Sequence, residues 1–118
     1  MKTQQLLNYA RDQWVPGDSS SLSEIASAID GAPVARTGSG GLDFGAMLRH
    51  AREDGGRALR QMTFHERARM IKGLGLAVLA RKEELYELNY QTGATRKDGW
   101  IDIEGGAGTL FSFSSKRR

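Results

Sequence analysis

The chain has 118 residues, 39% apolar and 26% charged, with 15 glycines and no cysteine. That is the make-up of one ordinary globular domain; it excludes a disordered chain, a disulfide framework, a thiolate-ligated metal and a thiolate nucleophile within this stretch. There are 17 basic and 14 acidic residues, and Lys116, Arg117 and Arg118 account for the whole excess, whereas a nucleic-acid binder spreads its cations over one face. No apolar run reaches the roughly 18 residues that span a bilayer, and no apolar leader segment follows Met1. The expectation is a cytoplasmic protein with neither membrane nor nucleic acid as partner.

In chain order, Leu6, Leu7, Tyr9, Trp14 and Val15 precede Pro16-Gly17, which reads as a short strand or turn ended by the Pro-Gly pair. A polar loop, Asp18 to Ser21, follows. Ile25 and Ile29, then Asp30-Gly31 as a turn before a second extended segment, predict a small β-hairpin. Ser39-Gly40-Gly41 opens an amphipathic helix through Leu42, Phe44, Met47, Leu48 and Ala51, with Gly55-Gly56 as its expected end. Leu59 and Met62 then anchor a short helical turn.

The stretch Thr63 to Thr92 organises the chain. Thr63 with Glu66 is a capping box, the hydroxyl taking one free helix amide while the carboxylate takes another. Phe64, Ala68, Ile71, Leu74, Val78, Leu85 and Leu88 recur with the period of one helical face, and Gly93 supplies a left-handed stop. An uninterrupted run would reach roughly 45 Å, so a break near Lys82 is expected. Gly73 and Gly75 each cost about 1 kcal/mol against Ala, which close packing on a neighbour would offset. Thr95 with Asp98 is a second capping box, leading into a helix whose stripe is Trp100, Ile103, Ala107, Leu110 and Phe111.

Chemistry-bearing patterns are sparse. In WIDIEGGAGTLF, Trp100 to Ile103 resembles a strand running into Gly105, Gly106 and Gly108, as in a dinucleotide-binding turn. Phe111, however, occupies the third glycine position of that fingerprint, and no acidic ribose ligand follows. Small residues for close helix packing are the better reading. Gly38-Ser39-Gly40-Gly41 lacks the Lys-Ser/Thr of a phosphate loop and reads as a helix entry. His50 and His65 stand in no metal-binding spacing, Asp98 and Asp102 share a face as a solvated pair, and Lys82, Glu83, Glu84 and Glu87 read as a solvent face. The residues by themselves thus assign no catalytic, cofactor-binding or metal-ligating side chain.

Longer blocks carry a resemblance. Met62 to Ala68, Ala80 to Tyr86, Gln91-Thr92-Gly93-Ala94-Thr95-Arg96 and Trp100 to Gly106, with Gly41-Leu42-Asp43 and Gly108 to Phe111, resemble the N-terminal region of the aldehyde dehydrogenase family. The QTGATR and WIDIEGG blocks are most similar to the bifunctional branch of phenylacetic acid degradation, in which an aldehyde dehydrogenase is fused to an oxepin-CoA hydrolase. Asn89 and Tyr90 depart from the smaller residues expected there.

The resemblance implies an α/β aldehyde dehydrogenase-like fold of which residues 1–118 form an incomplete N-terminal part of the cofactor-binding domain. The chain itself is expected to be mainly helical with a short N-terminal β-hairpin. It implies NADP- or NAD-dependent oxidation of a CoA-linked semialdehyde, with a thiolate attacking the carbonyl and a Glu-activated water releasing the acid. The complete protein is expected to be a homo-oligomer, with the remainder of the dehydrogenase fold as partner of this stretch. The family's Cys and Glu have no counterpart here, so the chain alone is expected to be inactive and to hold no cofactor. Its last residues fall within a helix that family members continue, which suggests a fragment or shortened reading frame. The alternative is a stand-alone helical binding module using its basic tail.

Overall fold

The computed structural model describes residues 3–116, and its packing divides the chain into two units, Met1–Ala58 and Leu59–Arg118. Arg117 and Arg118, two cations of the basic tail, lie outside the described residues.

The first unit contains five short strands. β1 (Gln4–Gln5) runs parallel to β5 (Pro33–Thr37), with Gln4 opposite Ala35. β4 (Ser23–Ala26) pairs antiparallel on the other side of β5, giving the order β1-β5-β4 with an irregularity between Ile25 and Ala26. This is the hairpin expected around Asp30-Gly31. Gly31 takes φ +73°, its amide donating to Ser27 O at 2.9 Å, and Asp30 Oδ1 accepts from Ala32 N at 3.0 Å. The stretch expected as a strand or turn before Pro16 is itself a second hairpin, β2 (Asn8–Ala10) with β3 (Gln13–Val15). Tyr9 and Trp14 face each other across it in an edge-to-face pair, ring centroids 5.0 Å apart, an arrangement favoured by the ring quadrupoles.

The loops of this unit meet backbone to backbone. Asp18 N donates to Gly40 O at 3.0 Å, and Asn8 Nδ2 to Gly38 O at 2.8 Å. A Cβ at Gly17 would collide with Gly38 O, so the close approach depends on glycine. The Gly38 to Gly41 run is therefore a packed loop leading into α1 (Phe44–His50), whose start is capped by Asp43 accepting from Ala46 N at 2.8 Å.

Gly55-Gly56 does not end this helix. The chain passes through a π-helical turn, Ala51–Gly55, into α2 (Gly56–Gln61). A glycine pair stops a helix by entering the left-handed region, and Gly56 instead keeps φ −64° and ψ −35°. The extra residue of the π turn is absorbed within the helix rather than breaking it.

The second unit contains α3 (Phe64–Ala80), α4 (Lys82–Tyr90) and α5 (Arg96–Ser115). Both capping boxes form: Thr63 N donates to Glu66 Oε2 at 2.7 Å, and Thr95 N donates to Asp98 Oδ2 at 3.1 Å. The expected break falls at Arg81, which leaves the helical region at φ −112°, ψ 18°. Gly93 adopts φ +81° after α4. α3 packs along α5 through Ala68, Gly75 and Ala107.

Two expected faces are met in part: Ala68, Ile71, Val78 and Leu85 of the first and Ile103, Ala107, Leu110 and Phe111 of the second are buried or half-buried. Phe64, Leu74 and Leu88 are exposed, and the buried face of α3 runs through Ala68 and Gly75. On α5 the inward stripe is Gly99, Ile103, Ala107, Leu110, Phe111 and Ser114, leaving Trp100 exposed. The reason is distance: a Cβ at Gly75 would lie 2.8 Å from Phe111 Cε1, so the backbones approach where side chains are smallest. Trp100 to Ile103 are helical, not a strand.

Glycine substitutions should therefore act with opposite signs. Gly75→Val forces the Phe111 ring aside and should cost about 2 kcal/mol. Gly106→Ala, at a position with nothing within 4 Å of the new methyl, should gain about 0.5–1 kcal/mol. Urea denaturation followed by circular dichroism reads both.

Candidate functional site

The residues with chemical potential fall into separate local arrangements. Gly105, Gly106 and Gly108 lie inside α5, where their amides are committed to helical hydrogen bonds, so they form no cradle for a pyrophosphate. They also meet no neighbour within 4 Å; close packing uses Gly75 and Gly99 instead. Asp98 is occupied in capping its own helix, and Asp102 is exposed. His65 is exposed. Among the described residues, no group of three or more acidic, His or Cys side chains is arranged to hold a metal ion.

His50 is more engaged than its spacing implied. Its Nδ1 lies 2.8 Å from Asp54 Oδ2 one helical turn on, and its Nε2 lies 3.4 Å from Asp12 Oδ2 in the β2–β3 turn. The His50–Asp54 pair was legible as an i,i+4 spacing. The Asp12 contact was not, because Arg11 and Asp12 turn the hairpin with φ +50° and +63°, a left-handed pair usually left to Asn and Gly.

In the second unit, the charged residues of α4 do more than face solvent. Lys82 Nζ donates to Glu104 Oε1 at 3.0 Å and the buried Tyr86 hydroxyl donates to the same oxygen at 3.3 Å, joining α4 to α5. Arg96 stacks over the Tyr86 ring at 4.3 Å and donates to Glu83 Oε1 at 3.1 Å. The Lys82 hydrogen bond outweighs desolvation and holds the Glu104 carboxyl below the usual carboxylate range. Burial, followed by the Glu104 charge, pushes the Tyr86 hydroxyl up. The Thr63 amide and the Thr95 hydroxyl lower Glu66 and Asp98 in the same way. Gly99 backs onto this cluster, its missing Cβ within 3.0 Å of Tyr86 and 2.8 Å of Asn89 Nδ2. Asn89, the departure noted in the sequence, thus shares with the Tyr86 ring the space that a side chain at Gly99 would occupy.

What the chain leaves uncovered is its dominant feature. The buried apolar residues are Ala35, Ala68, Tyr86 and Ala107. Ile29, Phe64, Leu88 and Phe113 are each more than 60% exposed, and Trp14 reaches 67%. The accessible surface is 8979 Å², whereas two separate compact units of this mass would expose roughly 7600 Å² together. At the Arg81 break, Ala77, Val78, Leu85 and Leu88 line an open groove of about 280 Å³, with Arg81 and Glu84 at its edge paired at 2.6 Å. Apolar exposure on this scale marks a surface that packs against something else. No helix among the described residues is long and apolar enough to cross a membrane.

No protein-family model matches the chain. It is 29% identical over 110 residues to a 3,4-dehydroadipyl-CoA semialdehyde dehydrogenase of Aromatoleum evansii. That alignment covers 92% of this chain and 21% of the relative, so the chain spans about a fifth of the length of the curated relative it matches. The similarity supports an aldehyde dehydrogenase-like relationship.

The depressed carboxylates set a pH dependence. Glu66, Asp98 and Glu104 titrate lower folded than unfolded, so their stabilisation is complete above the unfolded carboxylate range and is lost as pH falls through the folded values. The urea midpoint should decline from neutral into acid pH. Glu104→Gln should lower the neutral midpoint and flatten that decline; an unchanged acid slope would remove Glu104 from the account.

Proposed function

We propose that this chain is the N-terminal segment of an NAD(P)-dependent aldehyde dehydrogenase acting on a CoA-linked semialdehyde, within phenylacetic acid degradation. The observation that carries the reading is the alignment of 92% of the chain with 21% of a CoA-semialdehyde dehydrogenase. The large apolar side chains left exposed on both units support it, because they are the surface that the remainder of such a fold would cover.

In this reading the segment supplies packing rather than chemistry. The family's reaction requires a thiolate, and the chain has no cysteine; its glycine-rich helix does not fit a nicotinamide dinucleotide, since Gly105, Gly106 and Gly108 lie mid-helix. The catalytic groups, the cofactor and the contacts that assemble a homo-oligomer belong to the covering portion. The clasp of Lys82, Tyr86 and Glu104 keeps α4 and α5 together and so fixes the surface offered to it.

Two measurements test this. An antibody raised against residues 63–113 should detect a native polypeptide several-fold larger than 12.9 kDa in source cells. The isolated 118-residue chain should turn over no CoA-linked semialdehyde with NAD or NADP and should bind a hydrophobic dye strongly. A native band at 12.9 kDa together with a sharp, cooperative melt of a monomer would overturn the proposal in favour of a self-standing binding module.

A further inference from the structure

One pocket differs from the other uncovered surface in carrying charge of a single sign. It lies between the start of α3 and the end of α5, with a volume of about 220 Å³, and is lined by Phe64, Arg67, Ala68, Ile71, Phe113 and Lys116. Ala68 and Ile71 form an apolar floor, while Phe64 and Phe113 project 75% and 63% exposed. Arg67 holds its guanidinium 4.7 Å above the Phe64 ring.

No carboxylate lines the pocket. Among the described residues neither Arg67 nor Lys116 enters an ion pair. Glu66, the acidic neighbour in sequence, is bonded to Thr63 through its hydroxyl at 2.9 Å and its amide at 2.7 Å. The carbonyls at the end of α5 are also engaged: Phe111 O accepts from Ser114 Oγ at 2.9 Å and Ser112 O from Ser115 Oγ at 2.7 Å. Arg67 Nε is buried without an acceptor, and an unmade bond of that kind leaves a desolvation cost unrepaid.

We propose that this pocket docks a peptide segment in which a carboxylate stands beside a large apolar side chain. The apolar member fills the space between Phe64 and Phe113, and the carboxylate is held by Arg67 of α3 and Lys116, the residue just beyond the end of α5. Charge complementarity selects the occupant. Two cations flanking an apolar floor match a single carboxylate on an apolar body, whereas a polyphosphate requires many more converging donors. Arg beside exposed aromatic rings is also the composition of protein-interface anchor points. The proposal rests on geometry within the second unit and stands apart from the dehydrogenase reading, which the native mass decides.

The test uses the 118-residue chain and fluorescein-labelled peptides containing Glu-Phe-Glu or Gln-Phe-Gln, read by anisotropy. The acidic peptide should bind saturably and about tenfold more tightly than the amide peptide, a difference that salt screens. Lys116→Gln, at an exposed position, should weaken binding several-fold, and Arg67→Gln with Lys116→Gln should abolish it while leaving the circular dichroism unchanged. Equal binding of the two peptides, absence of saturable binding, or indifference to both substitutions would overturn the proposal. Self-association that the same substitutions abolish, with no peptide binding, would overturn it by assigning the pocket to a second copy.

Discussion

The second unit depends on how closely α3 can approach α5. Gly75 provides the approach, because the Phe111 ring occupies the space where any side chain at that position would begin. Ala68 and Ala107, both buried on the same seam, keep the backbones near one another. A seam made of such small groups buries little apolar area, so the hydrophobic contribution of this contact is modest. The larger apolar side chains of α3, Leu74 and Leu76 among them, consequently point away from the unit. Directional interactions compensate: two capping boxes set where the helices begin, and the Lys82, Tyr86 and Glu104 cluster ties α4 to α5. The arrangement is specified by polar geometry and by shape more than by the volume of its core.

This balance explains what could be read from the sequence. Features determined by three or four neighbouring residues were legible: the boxes at Thr63 and Thr95, the stop at Gly93 and the turn at Asp30-Gly31. Each depends on a local competition between backbone and side chain. The break beside Lys82 was legible from the length of the helical run. Features set by tertiary contact were not. Of the expected face, Ala68 is buried and Ile71, Val78 and Leu85 are half-buried, but Phe64 and Leu74 of α3 and Leu88 of α4 lie in the open, because helix approach is set at the small residues Ala68 and Gly75. Periodicity weights a face by hydrophobicity, and here the packed face is the one that permits contact. Gly55-Gly56 misled for a related reason, since glycine permits the left-handed conformation without imposing it. The Asp12 contact of His50 arises across a hairpin whose turn residues are atypical. No spacing rule could have found it.

The functional reading draws on two observations of different kinds. Sequence similarity places nearly all of the chain alongside a fifth of a CoA-semialdehyde dehydrogenase. The structure independently shows many large apolar side chains exposed on both units. Neither depends on the other, and both are in keeping with the proposal that the stretch is packed against by further structure. The pocket at Arg67 and Lys116 adds a polar requirement to an otherwise apolar surface. It restricts what can cover that corner, because leaving the two cations opposite a purely apolar partner would strand them without counter-charge.

A core whose buried apolar members, among the described residues, are three alanines and a tyrosine also has a calorimetric consequence. The heat-capacity increment of unfolding comes chiefly from newly hydrated apolar surface, about 0.45 cal/mol/K per Å². A chain that shows more of that surface to water when folded has less of it left to hydrate on unfolding. Its stability curve against temperature should therefore be somewhat flatter than that of two fully packed units of the same mass. Covering the exposed faces would enlarge the increment and sharpen that curve. If further structure does pack onto these faces, the temperature range over which the chain holds its shape would depend on that covering as much as on its own residues.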